Sequence, residues 1–136
     1  MMRVLKVKKY GEIPEDYTGI AEMVDGSKRW FLNGKLHRED GPAVEWSNGS
    51  KRWFLNGKYH REDGPACEYA DGEKVWYLND NFLFRLLPES QTFILLEEFI
   101  DEEGKEQLRV LNQKGIEIWP CVPGLKELAD NWEKKQ

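Results

Sequence analysis

Apolar and polar residues alternate over short stretches of this chain, and turn-forming pairs separate the stretches. Alternation with a period of two is typical of β-strands that bury one face. Asn-Gly or Asp-Gly between two such stretches predicts a tight hairpin turn. The pairs are Asp25-Gly26, Asn33-Gly34, Asn48-Gly49, Asn56-Gly57 and Asp71-Gly72. The pattern therefore predicts a mainly β protein built from antiparallel hairpins.

The same pattern recurs as a long repeat. GSKRWFLNGKLHREDGPAVEWSN occupies residues 26–48, and GSKRWFLNGKYHREDGPACEYAD follows over 49–71. A third copy begins as GEKVWYLND at Gly72, and a partial copy from Gly19 precedes the first. Repeats of this length bury their apolar faces only by stacking on their neighbours. We expect a twisted antiparallel sheet of stacked hairpins over residues 18–85, preceded by a lead-in strand over 1–17.

Turn geometry predicts which residues share a face of this sheet. A two-residue turn at Asn48-Gly49 sets Glu45 opposite Arg52 and Val44 opposite Trp53. The repeat then predicts a buried column of Trp30, Trp53 and Trp76. The other face would carry a basic and aromatic ladder of Arg29, Phe31, Arg52, Phe54 and Tyr77, and the C-terminal segment would either cover its rings or leave them exposed to a partner. This ladder has three interpretations: ion pairs of its arginines with Glu22 and Glu45, a protein-binding face, or a nucleic-acid-binding face.

The second turn of each repeat sets Phe31 opposite Leu36 and Phe54 opposite Tyr59. Its third copy, Asn79-Asp80, lacks the glycine, so we expect the regular array to end near Arg85.

The segment over 86–136 follows a different pattern. Residues 92–100, 107–111 and 116–119 alternate as strands, and Pro123 suits the first turn of a helix. The apolar side of that helix would carry Leu125, Leu128, Ala129 and Trp132. We expect a small C-terminal β-hairpin and an α-helix that cap the array.

Composition and charge narrow the classes of function. Hydrophobic residues form 40% and charged residues 33% of the chain, as in a soluble globular domain. The net charge of −5 comes from the C-terminal segment, which disfavours nucleic-acid and membrane partners. No apolar run has the length of a membrane span or a signal-peptide core, so we expect a cytoplasmic protein. Cys67 and Cys121 are too few for a disulfide framework, and Cys67 fills a core position of the repeat.

Two motifs carry candidate chemistry. His37-Arg38-Glu39-Asp40 recurs as residues 60–63, but equivalent residues two strands apart lie roughly 10 Å from each other, too far to share a metal ion. We expect the histidines to pack on the tryptophans opposite them, with Arg38 and Arg61 available to a partner. The acidic turn forms either a solvated loop or a second partner contact. Its residues are Glu97, Glu98, Asp101, Glu102 and Glu103.

No phosphate-binding loop, Ser-His-Asp set or CxxC pair is present, so we expect no enzymatic activity, cofactor or metal. A hydrolase using His37 or His60 would require both histidines to face an open cleft.

The repeated W-x-x-N-G-x-x-H-R-x-D-G-P-A motif resembles the MORN-type repeats, in the variant form of bacterial and viral proteins. The resemblance covers residues 18–85 and implies stacked hairpins that form a binding scaffold for proteins or, in some members, membrane lipids. We therefore expect a non-enzymatic protein-binding module, by analogy a phage or bacterial inhibitor of a host protein of the anti-defence type. A phage-encoded protein would act in the host cytoplasm. Nucleic-acid binding through the ladder, a membrane-surface scaffold and self-association through an open sheet edge are the alternatives.

Overall fold

The computed structural model describes residues 3–129, which form fourteen strands and three short 3₁₀ turns. The strands are β1 (Val4–Val7), β2 (Gly19–Met23), β3 (Lys28–Leu32), β4 (Lys35–Leu36), β5 (Val44–Glu45), β6 (Lys51–Arg52), β7 (Phe54–Leu55), β8 (Lys58–Tyr59), β9 (Cys67–Glu68), β10 (Lys74–Leu78), β11 (Asn81–Leu86), β12 (Ile94–Ile100), β13 (Glu106–Asn112) and β14 (Gly115–Pro120). The 3₁₀ turns span Tyr10–Glu12, Pro88–Ser90 and Lys126–Leu128.

The repeats form one sheet whose strands follow the chain in the order β1-β2-β3-β5-β6-β9-β10-β11, with β4 paired to β3. β1 runs parallel to β2, and every other pair in this sheet is antiparallel. β7 and β8 form a separate hairpin, and β12-β13-β14 form a three-stranded antiparallel sheet. The prediction of a mainly β protein of stacked hairpins is confirmed.

The first turn of each repeat differs from the prediction. The N–H of Trp46 donates to the carbonyl of Ser50 at 2.9 Å, and Gly49 has a φ of 95°. The connection is thus a three-residue loop closed by a left-handed glycine, not a two-residue turn. The register moves by one residue, so that Glu45 pairs with Lys51 and Val44 pairs with Arg52. The expected pairing of Glu45 with Arg52 was wrong, and the same shift pairs Ala21 with Arg29 and Val75 with Cys67.

This shift decides the composition of the two sheet faces, because directly opposed residues share a face. One face, here called the arginine face, carries Ala21, Arg29, Val44, Arg52, Cys67 and Val75. The other, here called the tryptophan face, carries Trp30 and a cross-strand row of alternating charge. That row is Lys6, Glu22, Lys28, Glu45, Lys51, Glu68 and Lys74. Opposed lysines and glutamates therefore replace the expected glutamate–arginine pairs.

The second turn of each repeat matches the prediction. Asn33 and Gly34 have φ of 50° and 81°, and Phe31 lies opposite Leu36. The third copy forms the same turn without glycine, since Asn79 and Asp80 have φ of 47° and 66°. Asparagine and aspartate are the side chains that best tolerate this backbone region. The third hairpin consequently forms and extends to the end of β11.

The third repeat is apolar where the first two are polar, and the C-terminal sheet packs there. Val75 stands in place of Arg52, Leu83 in place of His60, and Phe84 in place of Arg61. The core formed at this junction buries the side chains of Trp76, Leu86, Phe93, Leu108, Val110, Trp119, Val122 and Leu125. The Trp76 indole also donates a hydrogen bond to the Pro123 carbonyl. Trp30 and Trp76 are buried as predicted, whereas Trp53 is half-buried.

The C-terminal helix expected from Pro123 was wrong over the described residues. Gly124 has a φ of 79°, and a single 3₁₀ turn over Lys126–Leu128 follows it. Ala129 then takes an extended ψ of 133°, which ends the turn. Trp132 lies outside the described residues. The buried Leu125 anchors this segment on the C-terminal core in place of a helix.

Substitution of Phe84 tests how much the packing at this junction depends on the residues that differ from the first two repeats. Its ring centroid lies 5.7 Å from that of Trp76 and 5.4 Å from that of Trp119. We expect Phe84→Ala to lower the free energy of unfolding by about 2 to 3 kcal/mol, because it opens a cavity between the two indoles. Chemical denaturation measures the change.

The matched control is Phe82→Ala in the same strand, where the side chain is 59% exposed. Its expected cost is below about 1 kcal/mol. Equal losses from the two variants would contradict the assigned packing.

Candidate functional site

The predicted basic and aromatic ladder is not an exposed face. Arg29 and Phe54 are each only 8% exposed, while Phe31, Arg52 and Tyr77 are half-buried. The one-residue shift places Arg29 and Arg52 among the apolar residues of the arginine face. The ring of Phe54 packs in the core of the repeats with Trp30, Ala43 and Val44. The expectation of exposure was therefore wrong for this set.

Two aromatic members of the ladder, Phe54 and Tyr77, belong to a stack of rings with Tyr59 between them, whereas Phe31 packs against Tyr17. Ring centroids are 4.3 Å apart between Phe54 and Tyr59, 5.0 Å between Tyr59 and Tyr77, and 5.9 Å between Tyr77 and Phe82. Each ring covers its neighbour, so the exposed area is concentrated at Phe82, the end of the stack. Cys67, on the same face, is buried as predicted, and burial raises the pKa of its thiol to about 11.

Arg38 and Arg61 lie at equivalent places in two turns, here called the HREDGP turns (residues 37–42 and 60–65). The Arg38 guanidinium lies 4.0 Å from the Trp30 ring centroid, and its Nε donates to Asp40 at 2.9 Å. Its Nη1 reaches the carbonyl of Pro42 and the carboxylate of Glu45. Arg61 repeats these contacts, with its guanidinium 3.9 Å from the Trp53 ring. Each arginine lies over an indole ring, and carboxylates neutralise its guanidinium charge.

The histidines of these turns connect neighbouring repeats. His37 Nδ1 accepts the backbone N–H of Asn56 at 2.9 Å, and His60 Nδ1 accepts that of Asn79 at 3.1 Å. The backbone N–H groups of His37 and His60 donate to the carbonyls of Trp30 and Trp53 at 3.0 and 3.1 Å, so each histidine lies opposite its tryptophan as predicted, and an arginine lies over each indole ring. The histidine side chains are 14% and 10% exposed, and only His60 lines the groove described below, whereas the hydrolase hypothesis required both histidines to face one open cleft.

A groove of about 590 Å³ separates the two HREDGP turns. Trp53, Leu55 and His60 line it between the turns. Four carboxylates stand at its border, each between 84% and 87% exposed: Glu39, Asp40, Glu62 and Asp63. Hydrogen bonds from the arginine side chains lower the pKa of the two aspartates, so both aspartates are charged at neutral pH. The sequence signal for this groove is the repeated Glu-Asp pair of the HREDGP turns.

The acidic turn has less free charge than its sequence indicates. Glu97 pairs with Arg109 at 3.0 Å, and Glu98 pairs with Lys126 at 3.4 Å. Asp101 accepts three hydrogen bonds within the turn, and the backbone bonds hold its pKa below the usual value. Glu103 pairs with Lys105 at 3.5 Å, and Glu102 is exposed. The structure thus gives Asp101 a role in shaping the loop and leaves Glu102 without an ion pair among the described residues.

Residues 3–129 contain no cluster of three metal-binding side chains. Over the same residues, no helix is both long and apolar enough to cross a bilayer. Comparison of the chain with family models, with curated proteins and with solved structures finds no match.

The hydrogen bond from the Asn79 N–H to His60 is expected to contribute measurably to stability. We expect His60→Ala to lower the free energy of unfolding by about 1 kcal/mol, because the Asn79 N–H loses its acceptor in the preceding repeat. Thermal or chemical denaturation measures the change. Glu62→Gln, which alters only the exposed neighbour of the ring, is the control and is expected to change stability by less than about 0.5 kcal/mol. An unchanged free energy of unfolding in His60→Ala would show that this hydrogen bond contributes nothing to stability.

The lowered pKa values of Asp40 and Asp63 predict acid sensitivity. A carboxyl whose pKa is lower in the folded state stabilises the fold above its unfolded pKa, about 3.9, and loses that effect as pH falls through the folded value. We expect the melting temperature to fall below about pH 4. The double variant Asp40→Asn/Asp63→Asn should show a weaker pH dependence in thermal scans. Parallel curves for the two proteins would refute this assignment.

Proposed function

We propose that the chain is a non-enzymatic protein-binding module whose groove between the HREDGP turns receives a basic segment of a partner protein. The observation that carries the proposal is the groove itself, because it combines an apolar wall with a border of exposed carboxylates. Its size, about 590 Å³, lies in the range of sites that accept several side chains or one small ligand.

Charge complementarity selects the class of partner. The charged side chains that line the groove are Arg38, Arg61 and the four carboxylates of its border. Their net charge is therefore 2 − 4 = −2. Because both guanidinium groups already have carboxylate partners, the groove presents uncompensated negative charge. A lysine or arginine would lay its aliphatic stem on Trp53 and Leu55 and place its charge at the border.

Nucleic acid and anionic lipid fit this surface less well. The nucleic-acid hypothesis depended on an exposed arginine ladder, and Arg29 and Arg52 are not exposed in that way. A groove of net negative charge repels phosphate groups of either partner. The narrower hypothesis is that this chain consists of MORN-type repeats and inhibits a host protein. It stays a prediction, and it is compatible with a basic target surface.

A basic peptide tests the proposal. We expect a peptide rich in lysine and arginine to bind in a fluorescence anisotropy titration, with an affinity that falls as salt is added. The double variant Glu39→Gln/Glu62→Gln should weaken binding about tenfold, because it removes two border charges that make no contact with either arginine.

The matched control is Glu102→Gln/Glu103→Gln, which removes the same charge from the acidic turn. This control should bind the peptide as the unmodified protein does. Equal weakening by both double variants would indicate attraction to bulk charge and would remove the groove as the site. Absence of binding at low salt would reject a basic partner.

A further inference from the structure

The arginine face holds a second stack of guanidinium groups and rings, distinct from the HREDGP turns. Arg29 lies 4.1 Å from the Tyr10 ring centroid and 6.0 Å from that of Trp46. Arg52 lies 4.6 Å from Trp46 and 5.5 Å from Tyr69. Rings and cations therefore alternate along this face.

Neither arginine in this stack has a carboxylate partner among residues 3–129, unlike Arg38 and Arg61. Arg29 is 8% exposed, and burial together with the charge of Arg52 lowers its pKa, with no acidic group acting in the opposite sense. Arg52 donates through Nη1 to the Tyr59 hydroxyl, but its Nε is buried without a hydrogen-bond partner. Two positive charges thus share an aromatic environment without a counter-charge.

The rings of Tyr10 and Trp46 lie beside the Arg29 guanidinium, and such cation–π contacts stabilise a positive charge without neutralising it. Among the described residues, the Arg29 nitrogens make no side-chain hydrogen bond, yet none of them is a buried atom without a partner, so they remain accessible to a ligand. An anion in contact with the guanidinium would supply the missing counter-charge, and a solvent-accessible place for it is present.

Arg29 lines a cavity of about 230 Å³. The cavity is also bordered by Lys8, Tyr10, Met23 and Trp46. Met23 stands where the next repeats have Trp46 and Tyr69, and in the first repeat the Tyr10 ring lies beside the arginine instead. The volume equals that of roughly eight waters, which is enough for one oxyanion and part of its hydration shell.

The charges around the cavity also favour an anion. Lys8 adds a second positive side chain to that of Arg29. The one acidic residue on the border is Asp25, whose carboxylate accepts the N–H of Ser27, so the side chains that line the cavity have a net charge of 2 − 1 = +1. The planar guanidinium fork matches two oxygens of a carboxylate or of a phosphate.

We propose that the cavity at Arg29 is a binding site for an oxyanion, a carboxylate or phosphate group, with Arg29 as the hydrogen-bond donor and Lys8 as a second charge. The site lies on the face opposite to Trp30 and Arg38. It does not depend on the proposed groove, and it would serve a free metabolite or an anionic group of a partner equally.

The experiment is an NMR titration of the full chain with inorganic phosphate and, separately, with acetate. We expect saturable shifts of the Arg29 Nε–H and Trp46 indole N–H signals with at least one of the anions, and none with chloride at equal ionic strength. Saturation by phosphate alone identifies a phosphate site, and saturation by acetate identifies a carboxylate site. Shifts no larger than those produced by chloride would overturn the proposal.

Phosphate stabilises folded proteins without binding to them. Variants therefore distinguish binding at the cavity from this general salt effect. We expect Arg29→Met, which keeps an apolar stem, to lose the saturable response of the Trp46 signal. Arg109→Met, an exposed arginine on the C-terminal sheet, should keep it. Lys8→Gln, at an exposed position, is a second variant that tests the site without altering the core and should weaken binding about threefold. A full response in both Arg29→Met and Lys8→Gln would contradict the assignment.

Discussion

The array depends on one recurring hydrogen bond, which joins the tip of each second hairpin to the repeat before it. The N–H of Gly57 donates to the carbonyl of Leu36, and that of Asp80 donates to Tyr59, each at 2.8 to 2.9 Å. The preceding N–H in each tip is held by His37 or His60. Because every tip requires a neighbour for two of its donors, strands of only two residues persist here that would not be stable in isolation.

Arginine makes the difference between a continuing repeat and a terminated one. In the first two repeats, one arginine covers the indole of the tryptophan face and another stacks between rings on the arginine face. In the third repeat, Phe84 and Val75 stand at those positions. The surface beside Trp76 that was polar becomes apolar at Phe84, and the C-terminal sheet buries it, whereas Val75 is buried on the opposite face. The end of the array is therefore a change of side-chain chemistry on an unchanged hairpin backbone.

The two proposed sites follow from the same distribution of arginines. On the tryptophan face, each guanidinium has two carboxylates, so the groove between the turns keeps an excess of negative charge. On the arginine face, the guanidinium groups have rings in place of carboxylates, and an excess of positive charge remains beside Tyr10. The sheet thus separates a surface suited to cations from a cavity suited to anions, and either can be occupied without the other.

The sequence alone determined the repeat length, the hairpins and the turns at Asn33-Gly34 and Asn56-Gly57, because positive φ at adjacent residues restricts the local backbone to one solution. It also predicted the burial of Trp30 and Trp76. It did not determine the register at Asn48-Gly49, since the same dipeptide closes two-residue and three-residue loops, and one residue of difference exchanges the faces. Only the tertiary structure decided that Arg29 is buried and that a groove separates the HREDGP turns. Both depend on how each repeat packs against the next, a contact between residues that no local pattern encodes.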